Sequence, residues 1–187
     1  MQIETLDRRR LSEPDARAVA TLLCQIWPKP DRTVDSLTRD LLNKHRDYAG
    51  PEARFPRLFI IRQGDDVIAC AGADPVTIGT SAGDMTVLAL SRVCTDPEAR
   101  GLKLGQAVVR AAFELVDDGT YPYSLFQTSE AVRPFYEKLG CVTVDNRFVN
   151  STANDPNANP FWDTAIMRYP DTPGWPAGQI DLRRPGW

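Results

Sequence analysis

TVLALSRVCTDPEARGLKLGQAVVRAAFELV, residues 86–116, decides the fold. Its first ten residues, 86–95, form an apolar run long enough for a buried strand. Pro97 and Gly101 close that strand. Leu104, Val108, Ala111, Ala112 and Leu115 then recur at helical spacing, with Gln106, Arg110 and Glu114 on the opposite face. Gly119 is placed to stop the helix. Between strand and helix lies ARGLKLG, 99–105. A tight loop feeding a helix leaves backbone N–H groups unpaired at the positive end of the helix dipole. Such an end takes phosphate oxygens. Gly101 and Gly105 keep the approach free of side chains, and Arg100 and Lys103 add charge. The loop fits neither GxxxxGK[ST] nor GxGxxG, which weighs against nucleoside triphosphatases and nicotinamide enzymes. A strand-to-helix turn with no ligand is the plain alternative.

Working outward, QIETL at 2–6 reads as a first strand. Ser12, with Asp15 three residues on, forms a variant capping box. Val19, Leu22, Leu23 and Ile26 continue it as a helix that Pro28 ends. A second helix is expected over 33–46, with Val34, Leu37, Leu41 and Leu42 on one face. LFIIR (58–62) and VIACAGA (67–73) read as a hairpin around QGDD. YSLFQ (123–127), a short helix through FYEKL ending at Gly140, and CVTV follow. STANDPNANP is a loop, and FWDTAIMRY (161–169) reads as a last strand. The tail 170–187 is rich in Pro and Gly but holds Trp175, Ile180, Leu182 and Trp187, so it is expected to be ordered. Strands mixed with helices indicate an α/β (α+β) chain with a mixed sheet, read as a single domain over 1–187.

A second motif, SEAVRPFYEKLGCV (129–142), follows the first after about one helix and one strand. Together, VCTDPEARGLKLGQAVV and AVRPFYEKLGC resemble the GNAT superfamily of acyl-CoA-dependent N-acyltransferases. The resemblance covers roughly residues 86–145. It implies a mixed, mostly antiparallel central sheet flanked by helices, and acetyl-CoA as co-substrate. The family's Arg/Gln-x-x-Gly-x-Gly/Ala loop falls on Arg100, Lys103 and Gly105. The coenzyme pyrophosphate would then lie along Arg100, Gly101, Leu102, Lys103, Leu104, Gly105 and Gln106. Val93, Cys94 and Thr95 would offer backbone groups to the pantetheine arm, which would extend the sheet. Tyr136 falls on the tyrosine that protonates the leaving thiolate in many relatives. Ser129 falls where relatives often carry an asparagine that contacts the coenzyme, and Phe135 joins the coenzyme-binding set. Two positions depart from the pattern: Lys103 stands for a glycine and Ser129 for the asparagine.

The implied chemistry is attack of a neutral amine on a thioester. A backbone N–H near Val93 would stabilise the oxyanion, and Tyr136 is a donor at neutral pH. The plain reading of Tyr136 is an aromatic packed beside Val132 and Leu139. Several groups are open as the base: His45, Asp84, Glu130 or a water chain. Cys94 lacks a histidine partner, so it reads as a strand residue, not a nucleophile. Trp162, Trp175 and Trp187 with Phe161 line either a pocket, a dimer contact or a core.

Composition narrows the partners. The 187 residues carry a net charge of -3, against a general nucleic-acid binder. RRR at 8–10 stands near Asp7, Glu13 and Asp15 and reads as a solvated turn. No apolar stretch is long enough for a bilayer, and there is no signal-peptide core. Four dispersed cysteines and one histidine give no metal site and suggest reduced thiols in the cytoplasm. The expected function is acetyl transfer to a small-molecule primary amine, with a homodimer allowed. The alternatives are a peptide or protein amine as acceptor, or a non-catalytic acyl-CoA sensor.

Overall fold

The structure, a computed structural model, describes residues 1–187. Nine strands form one mixed, mostly antiparallel sheet with flanking helices. The chain divides into two compact units, Met1–Asp74 with Ser91–Glu114, and Pro75–Leu90 with Leu115–Trp187.

In the first unit, β1 (Ile3–Asp7) pairs antiparallel with β2 (Arg57–Gln63), which pairs antiparallel with β3 (Asp66–Thr80). Gly64, at φ +62°, makes the β2–β3 turn. Helix α1 (Glu13–Ile26) starts where the sequence places it: the Asp15 N–H donates to Ser12 Oγ over 3.3 Å. Such a cap contributes about 1 kcal/mol. Helix α2 (Val34–Asn43) starts at Thr33, whose side chain caps Ser36. Val19, Leu22 and Leu23 of α1 and Leu37 and Leu41 of α2 meet Leu58, Ile60, Val67 and Cys70 in one core. Each large aliphatic side chain buried there contributes roughly 1.5–3 kcal/mol.

The second unit contains β4 (Gly83–Thr95) up to Leu90, and β4 pairs parallel with β5 (Ser124–Thr128). A parallel pair needs a crossover. Helix α3 (Leu104–Asp117) supplies it. After α4 (Arg133–Glu137) come β6 (Val142–Thr143) and β7 (Arg147–Val149), then β8 (Ala165–Tyr169) and β9 (Gln179–Asp181). β8 pairs antiparallel with β5 and β6, while β9 pairs with β7 and, at Asp181, with Gly79 of β3. Tyr123, Phe148, Phe161 and Ile180 fill this unit's core, with Trp175 and Trp187 against it. Their packing answers the question of the late aromatics, except Trp162, which is exposed.

Several boundaries differ from expectation. β3 continues to Thr80, past the expected end at residue 73. β8 starts only at Ala165, because the Gln127 side chain takes the N–H groups of Trp162 and Asp163. α2 ends at Asn43, so His45 lies in the turn beyond the helix. RRR is not a solvated turn: Arg8 is fully buried, and Arg9 pairs with Asp7 and Glu52. No helix is long and apolar enough to cross a membrane.

Candidate active site

The loop after β4 is built by its own backbone. Asp96 donates its N–H to the Ile68 carbonyl over 2.8 Å, and its carboxylate accepts the Glu98 N–H at 2.8 Å. A short 3-10 turn, Pro97–Ala99, follows, with Ala99 buried as its anchor. Arg100, Gly101, Leu102 and Lys103 are exposed, Leu104 is buried, Gly105 is half-buried and Gln106 is exposed. Gly101 has φ +84° and Lys103 has φ +59°. The Lys103 carbonyl accepts the Ala107 N–H, so Lys103 opens α3. The position where the resemblance expects glycine is therefore left-handed, and a lysine occupies it at a cost of about 1–2 kcal/mol. Lys103→Gly is expected to stabilise the protein by about 1 kcal/mol in urea denaturation. An unchanged or lowered midpoint contradicts that account.

A cavity of about 610 Å³ beside this loop is lined by Ala99 and Leu102 but also by Asp66, Asp96 and Glu98. Three carboxylates repel an anion, so this cavity is not the phosphate seat. On β4, Val93 and Thr95 are half-buried and Cys94 is buried. Burial pushes the Cys94 thiol well above its usual range, which leaves it inert.

The sequence gives little warning of a charge cluster in the first unit. Arg8, the first residue after β1, donates Nη1 to Asp74 Oδ1 in a buried ion pair. His45 Nε2 lies 3.5 Å from Asp74 Oδ2, and Arg92 Nη1 lies 3.8 Å from the same oxygen. Arg92 also donates to Ser91 Oγ at 3.0 Å. Burial opposes ionisation of Asp74, but Arg8, His45 and Arg92 hold its pKa far below the usual carboxylate value. Burial lowers the His45 pKa against the opposing pull of Asp74, so the imidazole is neutral at neutral pH. Arg92 has φ +54°, a strained backbone for a long side chain. Asp74 in VIACAGAD and Arg92 in TVLALSRVCT are lone charges in apolar strands, and that was the available signal. Arg8 carried none.

The other sequence candidates for the base sit differently. Asp84 is exposed and held by Arg183 at 2.7 Å. Glu130 is exposed and pairs with Arg133 at 2.9 Å. In the second unit, Tyr136 is buried at 5% exposure, its ring 4.5 Å from that of Phe126 and 4.9 Å from that of Phe135. Of the two residues expected beside it, Leu139 is buried and Val132 is exposed. Ser129 is exposed, and its carbonyl accepts the N–H groups of Val132 and Arg133 at the start of α4.

Residues 55–141 match the acetyltransferase (GNAT) domain family model. Solved structures similar to this chain include a GNAT family N-acetyltransferase (YhbS) from Escherichia coli in complex with CoA. That pair shares 13% identity over 97% of this chain and 88% of the other, with a TM-score of 0.63. ElaA from Escherichia coli is 18% identical over 89% of this chain and 97% of its own, TM-score 0.57. A GCN5-related N-acetyltransferase from Kribbella flavida is 19% identical over 76% of this chain, TM-score 0.57. The match spans 33% of that longer protein. At these identities the structures report the fold. No curated protein matches in sequence. Residues 55–141 thus match the GNAT domain model, and the chain as a whole shares the fold of these acetyltransferases.

Proposed function

We propose that the protein is an acetyl-CoA-dependent N-acetyltransferase that transfers the acetyl group to a primary amine of a small molecule by direct attack. The observation that carries this reading is the loop between β4 and α3, whose left-handed Gly101 and Lys103 turn the chain into the start of the helix. Its exposed backbone suits the coenzyme pyrophosphate, with Arg100 and Lys103 adding positive charge. Val93 to Thr95 would pair with the pantetheine arm. Ser129 and Phe135 remain coenzyme contacts by motif alone. Tyr136 would protonate the leaving thiolate. The four cysteines form no disulfide, which fits a cytoplasmic setting.

His45 is the proton acceptor in this reading. Its neutral state is the useful one, and Asp74 facing Nε2 would keep the proton there and the lone pair on Nδ1. The amine nitrogen attacks the thioester carbon and loses its proton, the C–S bond breaks, and Tyr136 protonates the sulfur. The acid limb of kcat/KM then falls below the ordinary histidine value of 6.5, because burial lowers the His45 pKa. In His45→Gln that limb is lost and kcat drops about a hundredfold. A pH profile identical to that of the unaltered protein removes His45 from the role.

Lys103→Gly separates contact from tolerance. Coenzyme affinity is expected to fall about two- to fivefold at low salt, with a weaker salt dependence. Equal or tighter binding rejects the contact. The function itself is tested by thiol release from acetyl-CoA across a panel of amines. Tight coenzyme binding with no release would favour the sensor reading.

A further inference from the structure

A cavity of about 460 Å³ in the first unit is walled by α2, by the segment before it and by β4. Leu37, Leu41 and Asn43 line it together with Arg32, Lys44, Arg92 and Asp40. Three of these lining residues are cationic and one is a carboxylate, so positive groups predominate on the wall. The imbalance continues behind it. Arg92 touches Asp74, but Asp74 is already committed to the buried Arg8, so one carboxylate serves two guanidiniums. Arg8 Nε and Nη2 are buried without a hydrogen-bond partner. The local electrostatics therefore lack a negative group, and Arg92, the residue shared by cavity and cluster, is where one would be held.

Arg92 also immediately precedes Val93, where the proposed thioester end would lie. We infer that the acceptor is an amine that also carries an anionic group, a carboxylate or a phosphate, held in this cavity by Arg92 and Arg32 with Lys44. This rests on the acetyltransferase reading above. The anionic end would sit among the guanidiniums, which suit planar, paired hydrogen bonding to such oxygens. Leu37 and Leu41 would cover a short aliphatic spacer, and the amine would extend toward the β4 edge. Asp40 repels a second anionic group and favours a molecule with a single acidic end.

The test uses matched pairs whose amines have similar basicity. They are 4-aminobutanoate against 4-aminobutanamide, and 3-aminopropyl phosphate against 3-aminopropanol. Each is titrated by calorimetry into the full-length protein loaded with CoA, and each is assayed for turnover with acetyl-CoA. At least one acid is expected to bind about tenfold tighter than its neutral partner, or more, with affinity falling as salt rises. Which pair shows the preference distinguishes carboxylate from phosphate. Arg92→Gln and Arg32→Gln are each expected to remove the preference, through KM and not kcat. Arg32, outside the buried cluster, keeps the test valid if Arg92→Gln fails to fold. Equal binding of acid and neutral partners, or no binding of any of the four probes, overturns the inference. So does a preference that survives both substitutions. Those results leave the acetyltransferase reading standing if acetyl-CoA still binds. Failure of acetyl-CoA itself to bind overturns both.

Discussion

Asp74→Asn is expected to cost about 3–5 kcal/mol of stability, because it leaves the fully buried Arg8 guanidinium without its counter-charge. For a chain of this size that corresponds to a fall in Tm of roughly 6–20 °C. The double variant Arg8→Met with Asp74→Leu is expected to recover most of the loss, since it removes both charges at similar volume. The pH dependence has a definite sign. Asp74 has a folded pKa depressed below its unfolded value of 3.8. Its contribution is complete above that value and is lost as pH falls below it toward the folded pKa. The gap between the unaltered protein and Asp74→Asn therefore persists at neutral pH, shifts where His45, which faces the same carboxylate, titrates, and narrows below about pH 4. Urea denaturation at several pH values measures it. A gap under about 1 kcal/mol at pH 7 would mean that the ion pair does not hold Arg8 in place.

Tyr136→Phe is expected to slow acetyl transfer by about 10²–10⁴-fold with little change in acetyl-CoA affinity. The phenyl ring keeps the packing against Phe126 and Phe135, so stability should move by about 1 kcal/mol at most. This separates chemistry from packing at a residue that is buried either way. Stopped-turnover thiol assays, with calorimetry for the coenzyme, supply both numbers. A variant with unaltered turnover reduces Tyr136 to an aromatic of the core.

The frame of the fold was legible because the signals were local. The Ser12 cap, the 3.6-residue spacing of α3 and the Gly64 turn each act over a few residues, and each appears where the pattern puts it. The loop between β4 and α3, proposed to hold the coenzyme, was legible for the same reason, down to the odd lysine. Its physical meaning was not: only the backbone at φ +59° explains why glycine suits that position and what Lys103 costs. The short strands β7 and β9 escaped notice because three residues are too few to show alternation. Their pairing depends on partners about thirty residues apart in the chain.

The charge cluster was hidden for a different reason. Arg8, His45, Asp74 and Arg92 come from four separate stretches, and no spacing rule connects them. In sequence, Arg8 stands in an arginine run beside acidic residues, which describes a solvated turn equally well. Burial makes the difference, and burial depends on the whole first unit. The acceptor-side inference thus needed three-dimensional contacts, whereas the coenzyme-side reading needed only two motifs.

The most direct test of the central claim follows free thiol from acetyl-CoA in the presence of a primary-amine panel that includes the four matched acceptors. The account predicts thiol release that requires an amine, saturates with acetyl-CoA and collapses in Tyr136→Phe. Acetyl-CoA bound tightly, with no amine-dependent release across the panel, would contradict it.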